Sequence, residues 1–155
     1  MMCMYTHALE QVVYVPHKRN KHHTVFVHIT TESGHDVKMT RNHILPAGQC
    51  GSVLPLVHAS KVIVGDCILS VSGEEKVIEI ELISGSGVYT IVTKEEYLVV
   101  NGIIASPFGV NHMLANMYYN VHRFLYSCSP TLLASSLLHS ANEGLGIMTP
   151  LFGSF

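Results

Sequence analysis

Thr40-Arg41-Asn42-His43 places a hydroxyl and an imidazole three residues apart at the end of a β run. A threonine hydroxyl can donate to a carbonyl or accept from an amide, and a neighbouring imidazole can protonate a departing nitrogen. Together they suit the polarising and breaking of a peptide bond. The same residues also fit a strand-end threonine and a half-buried histidine satisfied by backbone, and alone they favour that reading. The 11 histidines invite a metal centre, with His22, His23, His28, His35 and His43 in one region. A zinc site needs three or four convergent ligands with supporting partners, and no pair here has the usual spacing. Scattered strand and loop histidines are therefore expected, with no metal and no cofactor. Cys50 follows His43 closely, but a Cys/His hydrolase needs an orienting third group that the sequence does not supply. Gly48-Gln49-Cys50-Gly51-Ser52 reads as a flexible loop, and Cys67, in an apolar strand, as a small core residue.

The elements that must position these groups are strands. From Gln11 to Ser106 short runs rich in Val, Ile and Thr alternate with Gly, Asn, Asp and Ser. Strands are predicted at 11–15, 24–30, 36–40, 61–64, 67–71, 76–83, 88–92, 97–100 and 103–105. Val25, Val27 and Ile29 share one face, and the turn Glu32-Ser33-Gly34-His35 makes a hairpin that delivers Thr40 and His43. Ile78, Ile80 and Leu82 alternate with Glu79 and Glu81 and are expected to face inward. Lys18-Arg19-Asn20-Lys21-His22-His23 reads as a solvated turn between strands, and Ser84-Gly85-Ser86-Gly87 as a hairpin or loop. After Pro107 the spacing becomes helical over 111–126, with Asn111 as cap, and again over 131–139, Ser129-Pro130 separating the two. The expected organisation is a β domain over 1–108 and a helical C-terminal extension over 109–155, irregular from Gly144 onward. Met113, Met117, Tyr118, Phe124 and Leu125 either line an apolar groove or, as favoured here, pack on the β core.

A chain of 155 residues suffices for one compact domain with a real core. Hydrophobic residues make up 48% and charged ones 13%, which excludes a disordered, solvated chain and predicts exposed apolar patches facing a partner, a membrane or another piece of the same protein. A net charge of -2 without a Lys/Arg stripe argues against nucleic acid. Met1 to His7 lack the basic segment and apolar run of a secretory signal, and no apolar stretch approaches the roughly 18 residues of a spanning helix. The chain as given is expected to be neither exported by its own signal nor inserted, and to be a monomer.

Four blocks occur in order: Thr40-Arg41-Asn42-His43 after a hairpin strand; Val64-Gly65-Asp66-Cys67-Ile68-Leu69; Gly87-Val88-Tyr89 with a downstream Thr; and Val99-Val100-Asn101-Gly102-Ile103-Ile104-Ala105-Ser106. Over about residues 10 to 126 this order resembles the Hint domain at the C-terminus of Hedgehog proteins. The resemblance implies an all-β, horseshoe-like Hint (Hedgehog/intein) fold with a short helical appendage. It implies self-cleavage: a cysteine opening the domain attacks the preceding carbonyl, an N-to-S acyl shift gives a thioester, and a second nucleophile, a sterol in Hedgehog proteins, takes the acyl group. Thr40 and His43 match the residues that orient and protonate the scissile amide. His17 is the titratable residue nearest the family's aspartate, which activates the acceptor, and it reads otherwise as exposed loop. The partners implied are the protein's own N-terminal segment, as intramolecular substrate, and a lipid or small nucleophile as acceptor. Cys3 has neither the position nor the neighbours of the nucleophile, and the family's A-S-C is here Ala105-Ser106-Pro107. The chain as given is therefore expected to be an inactive, N-terminally incomplete autoprocessing domain; the alternative is a non-catalytic β binding or structural module of the same descent.

Overall fold

A computed structural model describes residues 12–109 and 112–129, with the side chains of residues 14–22, 89, 90, 112, 114 and 115 outside the description. The expectations for Cys3, the Asn111 cap, the 131–139 helix and the irregular end all lie outside the described residues. So does the side chain of His17, whose backbone pairs with Thr90.

Among the described residues, eight strands and one α-helix follow in the order β1 (Val12–Thr31), β2 (Asp36–Thr40), β3 (Ile44–Gly48), β4 (Leu56–His58), β5 (Cys67–Ser70), β6 (Gly73–Thr93), β7 (Leu98–Val100), β8 (Ile103–Ala105) and α1 (His112–Cys128). The strands form an antiparallel sheet in the order β2-β1-β6-β5-β3-β4, with β8 pairing β5 and β7. β1 and β6 make a long ribbon from Val12↔Thr93 to Thr31↔Val77, broken by register shifts at four places. Each irregularity bends a ribbon and increases its twist, which lets so long a pair curl around a core.

That core joins Val27 and Ile29 of β1, Val37 and Met39 of β2, Leu45 and Ala47 of β3, Ile68 of β5, Val77 of β6 and Ile103 and Ala105 of β8. The β1–β2 hairpin predicted from Val25, Val27 and Ile29 is present, with Val27 and Ile29 buried. A second cluster, Val92, Phe108 and Tyr119, fastens α1. The Phe108 and Tyr119 rings stack with centroids 5.4 Å apart. Arg123 adds a clamp: its Nε donates to the Thr93 carbonyl at 2.7 Å and its Nη2 to the Glu95 carbonyl at 2.8 Å.

Several local expectations are corrected. The basic run 18–23 is no turn between strands; β1 continues through it, the shift between Arg19 and His23 absorbing the irregularity. Ser84-Gly85-Ser86-Gly87 is no hairpin either, for β6 runs straight through. Gly85 makes room for the Phe26 ring, which a Cβ there would meet at 3.0 Å, and Gly87 takes φ +90 beside the same register shift. Residues 61–64 form no strand, Lys61 ending a single 3-10 turn (Ala59–Lys61) and 62–64 being irregular, whereas 44–48 and 56–58 are strands that the pattern missed. Ile78 and Leu82 are exposed, not inward, while their neighbour Val77 is buried. Cys50 lies in the turn after β3 and Cys67 is buried in β5, as expected, but they are not separate thiols: their sulfurs are joined in a disulfide that bridges that turn to β5. Met113, Met117 and Phe124 lie on the outer face of α1, exposed at 79%, 65% and 66%, rather than on the β core.

Candidate functional site

Thr40 closes β2, opposite Phe26 of β1. The chain then turns at once, the His43 N–H donating to the Thr40 carbonyl at 3.0 Å, and leaves as β3. This turn is held from both sides. The Ala59 N–H donates to the His43 carbonyl at 2.7 Å and Ser60 to the Arg41 carbonyl at 3.0 Å. On the other flank, the Ile44 N–H donates to the Phe108 carbonyl at 3.2 Å and the Ser106 N–H to the Ile44 carbonyl at 2.9 Å. The Phe108 N–H in turn donates to the Ser106 hydroxyl at 3.1 Å.

Thr40, His43 and the run Ala105-Ser106-Pro107 thus reach one cavity of about 220 Å³. Val37, Met39, Val88, Ile91, Leu98 and Val100 supply apolar wall, and Lys38 the one cation. No Asp or Glu lines it among the described residues.

The two polar groups differ in how they are satisfied. The His43 ring donates to the Ser106 backbone carbonyl, yet desolvation by burial dominates and lowers its pKa to about 4. The imidazole is neutral at pH 7, and the bond to Ser106 fixes which nitrogen carries the proton and leaves the other as a lone-pair acceptor. Thr40, only 6% exposed, has a buried hydroxyl with no hydrogen-bond partner. An unpaired hydroxyl at such depth costs on the order of 1–3 kcal/mol, an expense that a bound amide or carbonyl would remove.

The other histidines near this region go elsewhere. His28 Nε2 meets Asp36 Oδ2 at 3.0 Å, and His35 Nδ1 meets Glu75 Oε1 at 2.9 Å, so the two do not converge. No group of three metal-ligating side chains occurs among the described residues. Glu75 is instead a structural anchor. Burial raises its pKa, but hydrogen bonds from Thr31, Ser70 and His35, with the charge of His35, outweigh that and hold it below the ordinary value. It ties β1, β5 and the β1–β2 turn together beneath the β7–β8 hairpin.

That hairpin explains Asn101-Gly102. Val100 pairs Ile103 across a two-residue loop, and both loop residues take positive φ, +49 and +83, as the mirror-image turn favoured by Asn-Gly requires. Asn101 Nδ2 also reaches the Asp36 carbonyl at 3.2 Å, fixing the hairpin against β2. The importance of Ser106 was not legible in the side-chain pattern, because it acts on His43 through its backbone.

The T-x-x-H turn thus faces the strand that follows an Asn-Gly hairpin within a curled antiparallel sheet, and the family profile described as the Hint module matches residues 6–147. The chain belongs to the Hint family. It is 26% identical over 139 residues to Protein qua-1 of Caenorhabditis elegans, covering 76% of this chain and 12% of that protein. It is 33% identical over 102 residues to Warthog protein 6 of the same organism, covering 61% of this chain and 17% of that protein. The chain thus spans a small fraction of the length of these curated relatives. Among solved structures, a KlbA intein precursor from Methanococcus jannaschii superimposes with a TM-score of 0.50 at 21% identity, over 57% of this chain and 52% of that one, a likeness of fold. The chain is a Hint domain of the Hedgehog type.

Proposed function

We propose that this domain takes part in intramolecular peptide-bond cleavage, with Thr40 and His43 as the groups that hold the scissile amide. The observation that carries this reading is the buried, unpaired Thr40 hydroxyl in the same cavity as a neutral His43. The hydroxyl donates to or accepts from the amide and distorts it toward attack. The free nitrogen of His43 takes the proton of an attacking cysteine thiol. Sulfur bonds to the carbonyl carbon, the carbon–nitrogen bond breaks, and His43 returns the proton to the departing amine, leaving a thioester. A second nucleophile, whether a sterol, water or another small molecule, then accepts the acyl group.

The thiol comes from outside the described residues, since within them Cys50 and Cys67 are bonded together and Cys128 is exposed on α1. Cys3, the remaining cysteine, has neither the position nor the neighbours of that nucleophile, so the 155-residue chain alone is expected to stay intact. The test is a version of the protein extended upstream to a cysteine that opens the domain, incubated with hydroxylamine and followed by gel mobility. Hydroxylamine opens thioesters and spares disulfides, so Cys50–Cys67 does not confuse the result. Two fragments are expected, with the rate falling at least about 100-fold in His43→Ala. An intact band at every time point would overturn the reading in favour of a non-catalytic β module.

A further inference from the structure

β2 is the last strand of its sheet: β1 occupies one side, and no described strand occupies the other. Its successive residues Val37, Lys38, Met39 and Thr40 all line the cavity. Side chains of a strand alternate between faces, so a void reached by both sets runs along the strand's backbone edge rather than across one face. The direction of that edge can be followed in the hydrogen bonds. The Asp36 carbonyl accepts from Asn101 Nδ2, and the Thr40 carbonyl from the His43 N–H, so these residues turn their backbone away from β1. Lys38 lies midway between them, and the two-residue period turns its N–H and C=O outward too. β7, which pairs only with β8 among the described strands, brings Leu98 and Val100 to the same void. The cavity therefore adjoins strands with a free side, and Thr40 with its unpaired hydroxyl stands at one end of it.

The chemistry of the lining selects the occupant. The Lys38 side chain is exposed, and the remainder of the lining offers no formal charge to neutralise a buried ion. An uncharged backbone with apolar or β-branched side chains complements such a slot, main-chain bonds giving affinity and the apolar walls giving selectivity.

We propose that the free edge of β2 is a strand-addition site, in which the segment of the protein's own precursor carrying the scissile bond lies extended, hydrogen-bonded to the Lys38 backbone, with its next amide against the Thr40 hydroxyl. This rests on the autoprocessing reading for the identity of the occupant, but the docking itself involves no bond cleavage and can be measured separately.

The probe is a fluorescein-labelled Thr-Val-Thr-Val-Thr-Val peptide, titrated with the full chain and read by fluorescence anisotropy. Saturable binding is expected, weakened at least tenfold when alternate backbone nitrogens of the peptide are methylated, and at least tenfold in Lys38→Pro. Proline is tolerated on a strand edge but has no N–H to offer; circular dichroism confirms that the variant is folded, and the methylated peptide tests the same bond without any variant. In the upstream-extended protein, Lys38→Pro should slow hydroxylamine-dependent cleavage to a similar degree. Absence of saturable binding, or binding indifferent to methylation, overturns the strand-addition site. Cleavage that proceeds normally in Lys38→Pro overturns it as well while leaving the autoprocessing reading intact. Conversely, methylation-sensitive binding with no cleavage in the unsubstituted protein would retain the site and sink only the chemistry.

Discussion

At neutral pH the His43 imidazole is uncharged, so in the proposed cleavage it begins by accepting a proton, not by giving one. Buried beside Ser106, it titrates near 4 instead of 6.5. Between those values the unfolded chain binds a proton that the folded one refuses, so stability is complete above about pH 6.5 and falls as pH drops through this window, by up to about 3 kcal/mol at pH 4. Two measurements check this: the His43 Cε1 proton resonance should titrate with a midpoint near 4, and His43→Gln should flatten the loss of Tm between pH 6.5 and 4.5. A midpoint near 6.5 would place the ring in water. Glu75 adds an acid loss at lower pH: because its pKa is depressed in the fold, the unfolded chain takes up the proton first, so its contribution is full above the ordinary carboxylate pKa and is lost as pH falls from there through the folded value. Gly102 is a second residue with a definite consequence. Its φ of +83 disfavours any side chain, and a Cβ would stand 2.8 Å from Nε2 of His35, which Glu75 holds in place. Gly102→Ala should lower stability by at least about 1–2 kcal/mol, read as a fall in the midpoint of urea unfolding. The type and spacing of Thr40 and His43 were legible in sequence. Their satisfaction was not, because one partner is a main-chain carbonyl from more than sixty residues away and the other hydroxyl has none.

Strands declared themselves in sequence where apolar and polar residues alternate over a half-buried surface. β2 was predicted at 36–40 and occupies those residues, with Val37 and Met39 buried. β3 was missed because Ile44 through Ala47 are all buried, leaving no two-residue period, while Pro46 and Gly48 read as breakers. β4 has only three residues, too few to make a pattern. The Ser-Gly run in β6 misled for a different reason: its glycines serve a close aromatic approach and a bulge, not a reversal. No rule of spacing pairs Cys50 with Cys67, yet the fold sets their Cα atoms 4.9 Å apart across 17 residues of sequence. Closing a loop of that length stabilises by about 3 kcal/mol in the chain-entropy account. Protein folded under oxidising conditions should therefore weigh two hydrogens less than the reduced form, and Cys50→Ser should unfold at markedly lower temperature. Equal melting of the two, with both thiols alkylated by iodoacetamide in the native state, would disprove the link. Since β3 begins at Ile44, the disulfide also steadies the strand that leaves His43.

The described residues form a curved sheet with α1 against it, and their outer surfaces carry the apolar excess foreseen from 48% hydrophobic and 13% charged residues. Val53, Ile63, Val64, Ile78 and Leu82 are exposed on the sheet and its loops, and Met113, Met117, Val121 and Phe124 on the helix. The helical stripe was anticipated, and the favoured packing on the core holds for Tyr118, which joins Tyr119 there, but not for Met113, Met117 and Phe124, which face away. Spacing shows that a helix has an apolar side, but a helix with apolar residues on both sides does not announce which one the sheet will take. What the sheet took has a mechanical corollary. Tyr119 leans on Phe108, Phe108 is laced by its main chain to Ile44 and to the Ser106 hydroxyl, and Ser106 steadies the imidazole. A spine only a few residues long thus runs from α1 to the Thr40–His43 turn, so a load placed on the helix is felt as misalignment at the imidazole.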